Sequence, residues 1–112
     1  MYTVTKRMEI AGAHCLKLPY SSKCSNLHGH NWIVLVTLKA KTLNPIGMLM
    51  HFSEIKQKVH GRLDHAYINE VLTGMNPTAE NIAGWIAEQL GPNCVKVSVQ
   101  ESEDNIAVWE RD

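Results

Sequence analysis

Hydrophobic and polar residues alternate along two stretches of the chain, residues 2–11 and residues 30–42. Successive side chains of a strand point to opposite faces of a sheet, so this alternation predicts two strands with one buried face each. The apolar positions are Tyr2, Val4, Met8 and Ile10 in the first stretch and Trp32, Val34, Val36, Leu38 and Ala40 in the second. Residues 16–27 contain a proline and two consecutive serines, which predicts a loop between the strands.

The segment after the second strand carries turn signals followed by a helical pattern. Residues 44–47 read Asn-Pro-Ile-Gly, which predicts a hairpin turn, and residues 48–52 are expected to return as a strand. A helix is predicted to start at Phe52, with Ser53 as its N-cap. Residues 66–77 are expected to form an irregular connection.

The C-terminal part of the sequence predicts one longer helix and two short strands. Thr78 is the expected N-cap of this helix, and Gly91 followed by proline is expected to end it. The apolar stripe of the helix consists of Ala79, Ile82, Ala83, Ile86 and Leu90. Residues 95–99 alternate between valine and polar residues, and residues 106–109 return after a polar turn, which predicts a terminal hairpin.

Together these elements predict an α+β fold in a single domain that spans residues 1–112. The expected architecture is a four-stranded antiparallel sheet with two helices on one face. Such a sheet leaves its edge strands exposed. Pairing of edges between subunits would join several sheets into a barrel and remove the exposed edges, so we expect a homo-oligomer.

Charge and cysteine content narrow the range of partners. The chain has 11 Lys and Arg against 11 Asp and Glu, and this balance argues against a nucleic acid or a membrane surface as partner. Three cysteines without a CxxC pair favour reduced thiols and a cytoplasmic location. No apolar run approaches the ~18 residues of a membrane span, and the N-terminus lacks the pattern of a secretory leader.

Potential metal ligands and catalytic side chains are most concentrated in the segment Cys24-Ser-Asn-Leu-His28-Gly-His30. In an extended backbone His28 and His30 point to the same side, so both imidazoles can bind one first-row metal ion, for which zinc is the best fit. The third ligand is either Cys24 or His14, which follows a run of small residues. Cys24 has a second interpretation, as a nucleophile or base beside the metal. The competing interpretation is that the histidines are ordinary solvated or structural residues.

Two further groups of residues carry candidate chemistry. Cys24 could work with the pair Asp64-His65, because an imidazole can hold a thiol as thiolate and an aspartate can orient the imidazole. Glu101 lies at the end of a predicted strand, where its carboxylate could accept two parallel hydrogen bonds from a planar N–H pair. Solvated surface residues are the competing interpretation for both groups.

Five short motifs occur in the order and approximate spacing of one family. They are Ala13-His14, Cys24-x-x-x-His28-Gly29-His30, Leu63-Asp64-His65, Pro77-Thr78-x-Glu80-Asn81 and Gln100-Glu101. Together they resemble the 6-pyruvoyl-tetrahydropterin synthase superfamily over essentially the whole chain. The spacing from Cys24 to His28 resembles its queuosine-pathway branch, the 6-carboxy-5,6,7,8-tetrahydropterin synthases.

The resemblance implies a fold, an assembly and a reaction. The fold is the tunnelling fold, whose subunits form trimers that stack into a hexamer with active sites between subunits. The implied enzyme is a lyase that holds Zn²⁺ through His14, His28 and His30. It converts 7,8-dihydroneopterin triphosphate into 6-carboxytetrahydropterin, acetaldehyde and triphosphate. The alternatives are 6-pyruvoyl-tetrahydropterin synthesis or related pterin chemistry, and a non-catalytic zinc-binding or pterin-binding protein.

Further roles follow from the same resemblance. Cys24 would be the acid/base thiol, with Asp64 and His65 as the complementary proton relay. Glu101 would anchor the pterin ring through its amino group and ring N–H. A fourth motif places Thr78 and Glu80 among the substrate-binding positions.

The chain departs from the family pattern at two places. His51 stands where relatives usually carry aspartate or asparagine, which puts catalytic efficiency or substrate choice in question. The loop between His14 and Cys24 is also short, so the mouth of the pocket is expected to differ.

Overall fold

The computed structural model describes all 112 residues, which form five strands and four helices. In chain order the elements are β1 (Tyr2–His14), β2 (His28–Ala40), α1 (Phe52–Lys58), α2 (His60–Leu63), β3 (Ala66–Tyr67), α3 (Ile68–Val71), α4 (Ala79–Leu90), β4 (Cys94–Ser102) and β5 (Asn105–Glu110). A single 3₁₀ turn, Lys23–Ser25, interrupts the connection between β1 and β2. The longest helix has 12 residues, and none has the length and apolar composition that crossing a membrane requires.

The five strands form one mixed sheet in the order β3-β1-β2-β4-β5. Neighbouring strands are antiparallel, except that the short β3 runs parallel to the end of β1. The α+β class is confirmed, but the prediction of four antiparallel strands is wrong because β3 adds a fifth. The expected irregular connection at residues 66–77 is wrong for residues 66–71, which form β3 and α3, and holds for residues 72–77. The buried side chain of Ile68 fixes α3 to the core.

The expected return strand at residues 48–52 does not form, although the turn before it does. Gly47 adopts a φ of +81° and donates its N–H to the Asn44 carbonyl, as the turn requires. Asn44 and Met48 then exchange hydrogen bonds, which closes a local loop. Both edges of β2 are occupied, by β1 and by β4, so the return segment cannot pair with the strand that precedes it.

The hydrophobic core lies between one face of the sheet and the helices, as the alternation predicts. The buried positions of the strands are Met8, Ile10, Trp32, Val34, Val36, Leu38, Val97 and Val99. Ile82, Ala83, Ile86 and Leu90 of α4 pack against them and confirm the predicted stripe. The opposite face of the sheet is open to solvent, where Leu35 is partly exposed.

The start of α4 is confirmed and the start of α1 is corrected. Thr78 caps α4 by accepting the Asn81 N–H at its hydroxyl oxygen (3.1 Å). The N-cap of α1 is His51 and not Ser53: the Nδ1 atom of His51 accepts the Ser53 N–H at 3.0 Å. Aspartate and asparagine are among the preferred N-cap residues because a side-chain oxygen of theirs accepts in the same way. His51, which stands where relatives usually carry aspartate or asparagine, therefore still caps α1, with a ring nitrogen as the acceptor in place of an oxygen.

Candidate metal centre and active site

The three histidines lie at the end of the core-facing side of β1 and β2. His14 continues the series Met8, Ile10 and Gly12 on β1, and it pairs directly with His28 on β2. His30 is two residues further along β2, on the same face as His28. Strand periodicity thus brings three imidazoles together, and their ring centroids lie 4.6 to 5.2 Å apart.

The hydrogen bonds of the rings leave nitrogen atoms free to bind a metal. His14 Nδ1 donates to the Pro77 carbonyl at 2.8 Å, and His28 Nδ1 donates to the Asn26 carbonyl at 2.7 Å. These bonds fix the tautomers and leave the Nε2 lone pairs available, an arrangement typical of metal-binding histidines. One potential ligand atom from each histidine lies within 4.8 Å of the others.

His14 provides the clearest test of whether these residues fit a metal. Its side chain is buried, and its Nε2 atom has no hydrogen-bond partner. Burial lowers the pKa of His14, since the charged form loses hydration, although the bond to Pro77 opposes this shift. A buried neutral imidazole with an unpartnered nitrogen costs free energy unless another group supplies a bond. Three imidazoles with an open fourth position fit Zn²⁺.

Glu101 reaches the same point from a third strand. It follows Val97 and Val99 on the core-facing side of β4, at an irregularity in the pairing with β5. Its Oε1 atom lies 3.7 Å from the Nε2 atom of His14 and 3.7 Å from that of His30. The indole ring of Trp32 packs edge-on against both imidazoles, with ring centroids 5.0 and 5.1 Å away, and separates the site from the core.

Glu101 also lines a neighbouring cavity together with Thr78 and Glu80. The volume of this cavity is about 490 Å³, within the range of small-molecule sites. The structure therefore brings together all three residues expected at the substrate site. Thr78 and Glu80 reach the cavity because they begin α4, whereas Glu101 reaches it from the sheet.

The pair Asp64-His65 is fixed to β1 a short distance before His14. Asp64 Oδ1 accepts the Ala11 N–H at 3.0 Å, and the His65 N–H donates to the Ala11 carbonyl at 2.6 Å. Asp64 Oδ2 accepts a hydrogen bond from His65 Nδ1 at 2.8 Å, and His60 Nε2 lies 3.5 Å from the same oxygen. The Ala11 bond, followed by the His65 bond, lowers the pKa of Asp64 and keeps the carboxylate ionised.

Cys24 lies on the 3₁₀ turn, exposed to solvent. Its carbonyl accepts the Leu16 N–H at 2.8 Å, which holds the turn beside the residues that follow His14. The thiol is not part of the cluster of potential metal ligands, and it makes no hydrogen bond with Asp64 or His65. Of the two possible third ligands, the structure places His14 in the cluster.

Two asparagines that the sequence does not single out hold the backbone that follows His14. The side-chain amide of Asn69 exchanges two hydrogen bonds with the backbone of Cys15, and the amide of Asn76 does the same with Lys17. These contacts extend β1 beyond its last strand residue, much as a neighbouring strand would. Asparagine is common in loops, so no sequence signal separates these two from other loop asparagines.

The fold and the site together define the class of protein. A strand-built cluster of three histidines, open at one position and next to a cavity, is typical of a catalytic metal centre. The chain matches the profile of the 6-pyruvoyl tetrahydropterin synthase family over residues 3–112. The chain belongs to this family, and its resemblance to the family is thereby confirmed.

Individual relatives show how close the similarity is. The 6-carboxy-5,6,7,8-tetrahydropterin synthase of Bacillus subtilis (strain 168) is 29% identical over 96% of this chain and 84% of its own length. The 6-pyruvoyl tetrahydrobiopterin synthase of Dictyostelium discoideum is 37% identical over 78% of this chain and 73% of its own. The solved Caenorhabditis elegans 6-pyruvoyl tetrahydropterin synthase shares the fold, with a TM-score of 0.76 at 24% identity, covering 99% of this chain and 96% of that one.

Proposed function

We propose that the chain is a zinc-dependent 6-carboxy-5,6,7,8-tetrahydropterin synthase of queuosine biosynthesis. It would convert 7,8-dihydroneopterin triphosphate into 6-carboxytetrahydropterin, acetaldehyde and triphosphate. The observation that carries the proposal is the buried, unpartnered Nε2 atom of His14, which points at the other two histidines in a chain of this family. The B. subtilis relative has the same activity in its name.

His14, His28 and His30 are the proposed zinc ligands. A bound zinc ion supplies Lewis-acid polarisation of the hydroxyl groups on the pterin side chain, which makes the neighbouring C–H groups more acidic. The carbonyl groups of Pro77 and Asn26 fix the tautomers of His14 and His28. The indole ring of Trp32 packs against the imidazole of His14 on the core side of the site.

Cys24, Asp64 and His65 are the proposed proton-transfer groups. Asp64 accepts a hydrogen bond from His65 Nδ1, which leaves the exposed Nε2 atom of that ring to take or give a proton. Cys24 would act as the acid/base thiol on the other side of the substrate. Because its thiol does not contact the His65 ring within one chain, we propose that complete sites form between subunits of a cytoplasmic homohexamer, two stacked trimers with barrel-forming sheets.

Glu101, Thr78 and Glu80 are the proposed substrate-binding residues. A pterin ring presents an amino group and a ring N–H side by side, which suits a carboxylate acceptor such as Glu101. The cavity that the three residues share supports this assignment, since Glu101 lines it and lies 3.7 Å from both His14 and His30.

Product identification tests the proposed reaction. Zinc-loaded protein is incubated with 7,8-dihydroneopterin triphosphate, and the products are resolved by mass. We expect 6-carboxytetrahydropterin together with acetaldehyde. Formation of 6-pyruvoyl-tetrahydropterin would contradict the 6-carboxy assignment and leave the site chemistry in place, and the 37% identity to the Dictyostelium enzyme makes this the second candidate.

Removal of the metal separates an enzyme from a zinc-stabilised binding protein. If zinc is catalytic, a chelator should abolish turnover and leave the far-UV circular dichroism spectrum unchanged. If zinc is structural, the chelator should unfold the protein. We expect the first result, because a chain of this length buries a core of 20 apolar residues without metal.

A further inference from the structure

The carboxylate of Glu101 faces the metal site in an arrangement that its proposed role as a pterin anchor does not explain. Its Oε1 atom is 3.7 Å from Nε2 of both His14 and His30. These separations are too long for hydrogen bonds. The Nε2 atom of His14 has no partner at all, so the carboxylate does not satisfy it.

The hydrogen bond of His14 determines which ring nitrogen faces Glu101 as an acceptor. The Nδ1–H group donates to the Pro77 carbonyl at 2.8 Å, so the Nε2 atom on the Glu101 side carries the lone pair of the neutral tautomer. A lone pair and a carboxylate oxygen that face each other repel. The arrangement becomes favourable when a cation lies between them.

The distances suit a shared metal ion. With metal–nitrogen and metal–oxygen bonds of about 2.0–2.1 Å, two ligand atoms of a tetrahedral zinc site lie about 3.3 Å apart. The observed 3.7 Å differs from this value by a few tenths of an ångström, which a side-chain rotation removes. Three strands would then supply the four ligands, with His14 from β1, His28 and His30 from β2 and Glu101 from β4.

We propose that Glu101 is a displaceable fourth metal ligand, which binds the metal in the substrate-free protein and leaves it when a pterin ring enters the neighbouring cavity. The proposal rests on the proposed metal site and deepens it. No hydrogen bond holds the Glu101 carboxylate, and the side chain is 27% exposed and lines the cavity, so it can turn from the metal to a ligand there. Binding of a pterin ring would therefore also open the fourth coordination position of the metal.

Cobalt(II) as a spectroscopic probe tests this proposal without turnover. The visible absorption of protein-bound Co²⁺ reports its coordination, and chelator competition reports its affinity. The variants are Glu101→Gln, which replaces the anionic ligand by a neutral amide, and Glu103→Gln, a matched control in the exposed turn after β4. Glu101→Gln should change the spectrum and weaken Co²⁺ binding about tenfold to a hundredfold, whereas Glu103→Gln should match the wild type.

Pterin itself, which lacks the side-chain hydroxyl groups that could bind the metal, tests displacement. Saturating pterin should change the cobalt spectrum of the wild type, because the ring draws the Glu101 carboxylate from the metal. It should leave the spectrum of Glu101→Gln unchanged, because that variant has no carboxylate to displace. An unchanged wild-type spectrum would refute displacement. Wild-type affinity and spectrum in Glu101→Gln would refute ligation by Glu101.

Two controls keep these outcomes distinct. If Glu101→Gln does not fold by circular dichroism, Glu101→Asp replaces it, because the shorter side chain withdraws the oxygen and should also weaken Co²⁺ binding. Failure of the wild type to bind Co²⁺ would overturn the proposed three-histidine metal site itself. Normal binding by the wild type and by both Glu101 variants, with loss of binding in His28→Ala, would leave that site standing and remove only the role of Glu101.

Discussion

Gly12 is the residue at which the fold and the candidate site can be perturbed together. It lies on the core-facing side of β1, two residues before His14, and it pairs with both His30 of β2 and Ala66 of β3. A methyl group at this position would lie 3.2 Å from the Ala66 carbonyl oxygen, 3.2 Å from the Trp32 ring and 3.3 Å from Ile68. All three contacts are tighter than ordinary van der Waals contact.

We expect Gly12→Ala to destabilise the protein by about 1–3 kcal/mol, the usual cost of adding a group to a filled space. With an unfolding entropy of about 2.1 cal/mol/K per residue, this corresponds to a decrease in Tm of about 4–13 °C for 112 residues. The nearest atom is backbone and can yield only if β3 moves away from β1. Because Asp64 and His65 precede β3 directly, the proposed proton relay should move relative to the metal site and turnover should decrease.

Thermal unfolding at fixed protomer concentration, followed by circular dichroism, measures the stability change. Gly61→Ala is the matched control, since Gly61 lies in α2 and a methyl group there meets only the Lys56 carbonyl oxygen at 3.8 Å. That change should be neutral or stabilise by about 0.5–1 kcal/mol. Wild-type Tm and turnover in Gly12→Ala would show that the close approach at this position is unnecessary.

Other substitutions and conditions test single groups of the site. Cys24→Ala should remain folded and zinc-loaded while turnover decreases by orders of magnitude; a wild-type rate would exclude Cys24 as the acid/base group. The metal-free protein should lose stability as pH falls below about 6.5, by at most about 1.4 kcal/mol per pH unit. The reason is that His14 has a lowered pKa in the folded protein, so in this pH range the unfolded chain binds a proton that the folded chain does not. Urea titrations at several pH values measure this slope, and it should disappear in His14→Gln. His51→Ala should cost about 0.5–2 kcal/mol through loss of the α1 cap, whereas His51→Asp should keep wild-type stability.

The sequence predicted those parts of the molecule in which side-chain periodicity and secondary structure agree. The alternation in β1 and β2 predicted which side chains are buried, except Tyr2, which is exposed at the start of β1, and the same period of two brought His28 and His30 to one face. Thr78 was recognisable as a cap because its side chain bonds only three residues ahead. Local patterns of this kind need no knowledge of the tertiary structure.

The errors occurred where distant residues decide the structure. The segment after Gly47 has the composition of a strand, but β2 offers it no free edge, since β4 from the far end of the chain pairs there. The two residues of β3 are too few for a periodic signal, and they pair only because Gly12 leaves room for them. The approach of Glu101 to His14 and His30 likewise depends on neighbouring strands that are far apart in sequence.

The backbone of His65 has a consequence for how this protein can evolve. Its φ of +57° lies in the left-handed region, where a side chain costs about 1 kcal/mol that glycine does not incur. The ring itself is 82% exposed, so it contributes little packing in return, and its one hydrogen bond, to Asp64, is exposed to solvent. Selection for thermostability alone would therefore favour glycine at position 65, whereas selection for turnover would retain histidine. A library diversified at this one codon and sorted separately for heat resistance and for product formation should separate into these two populations.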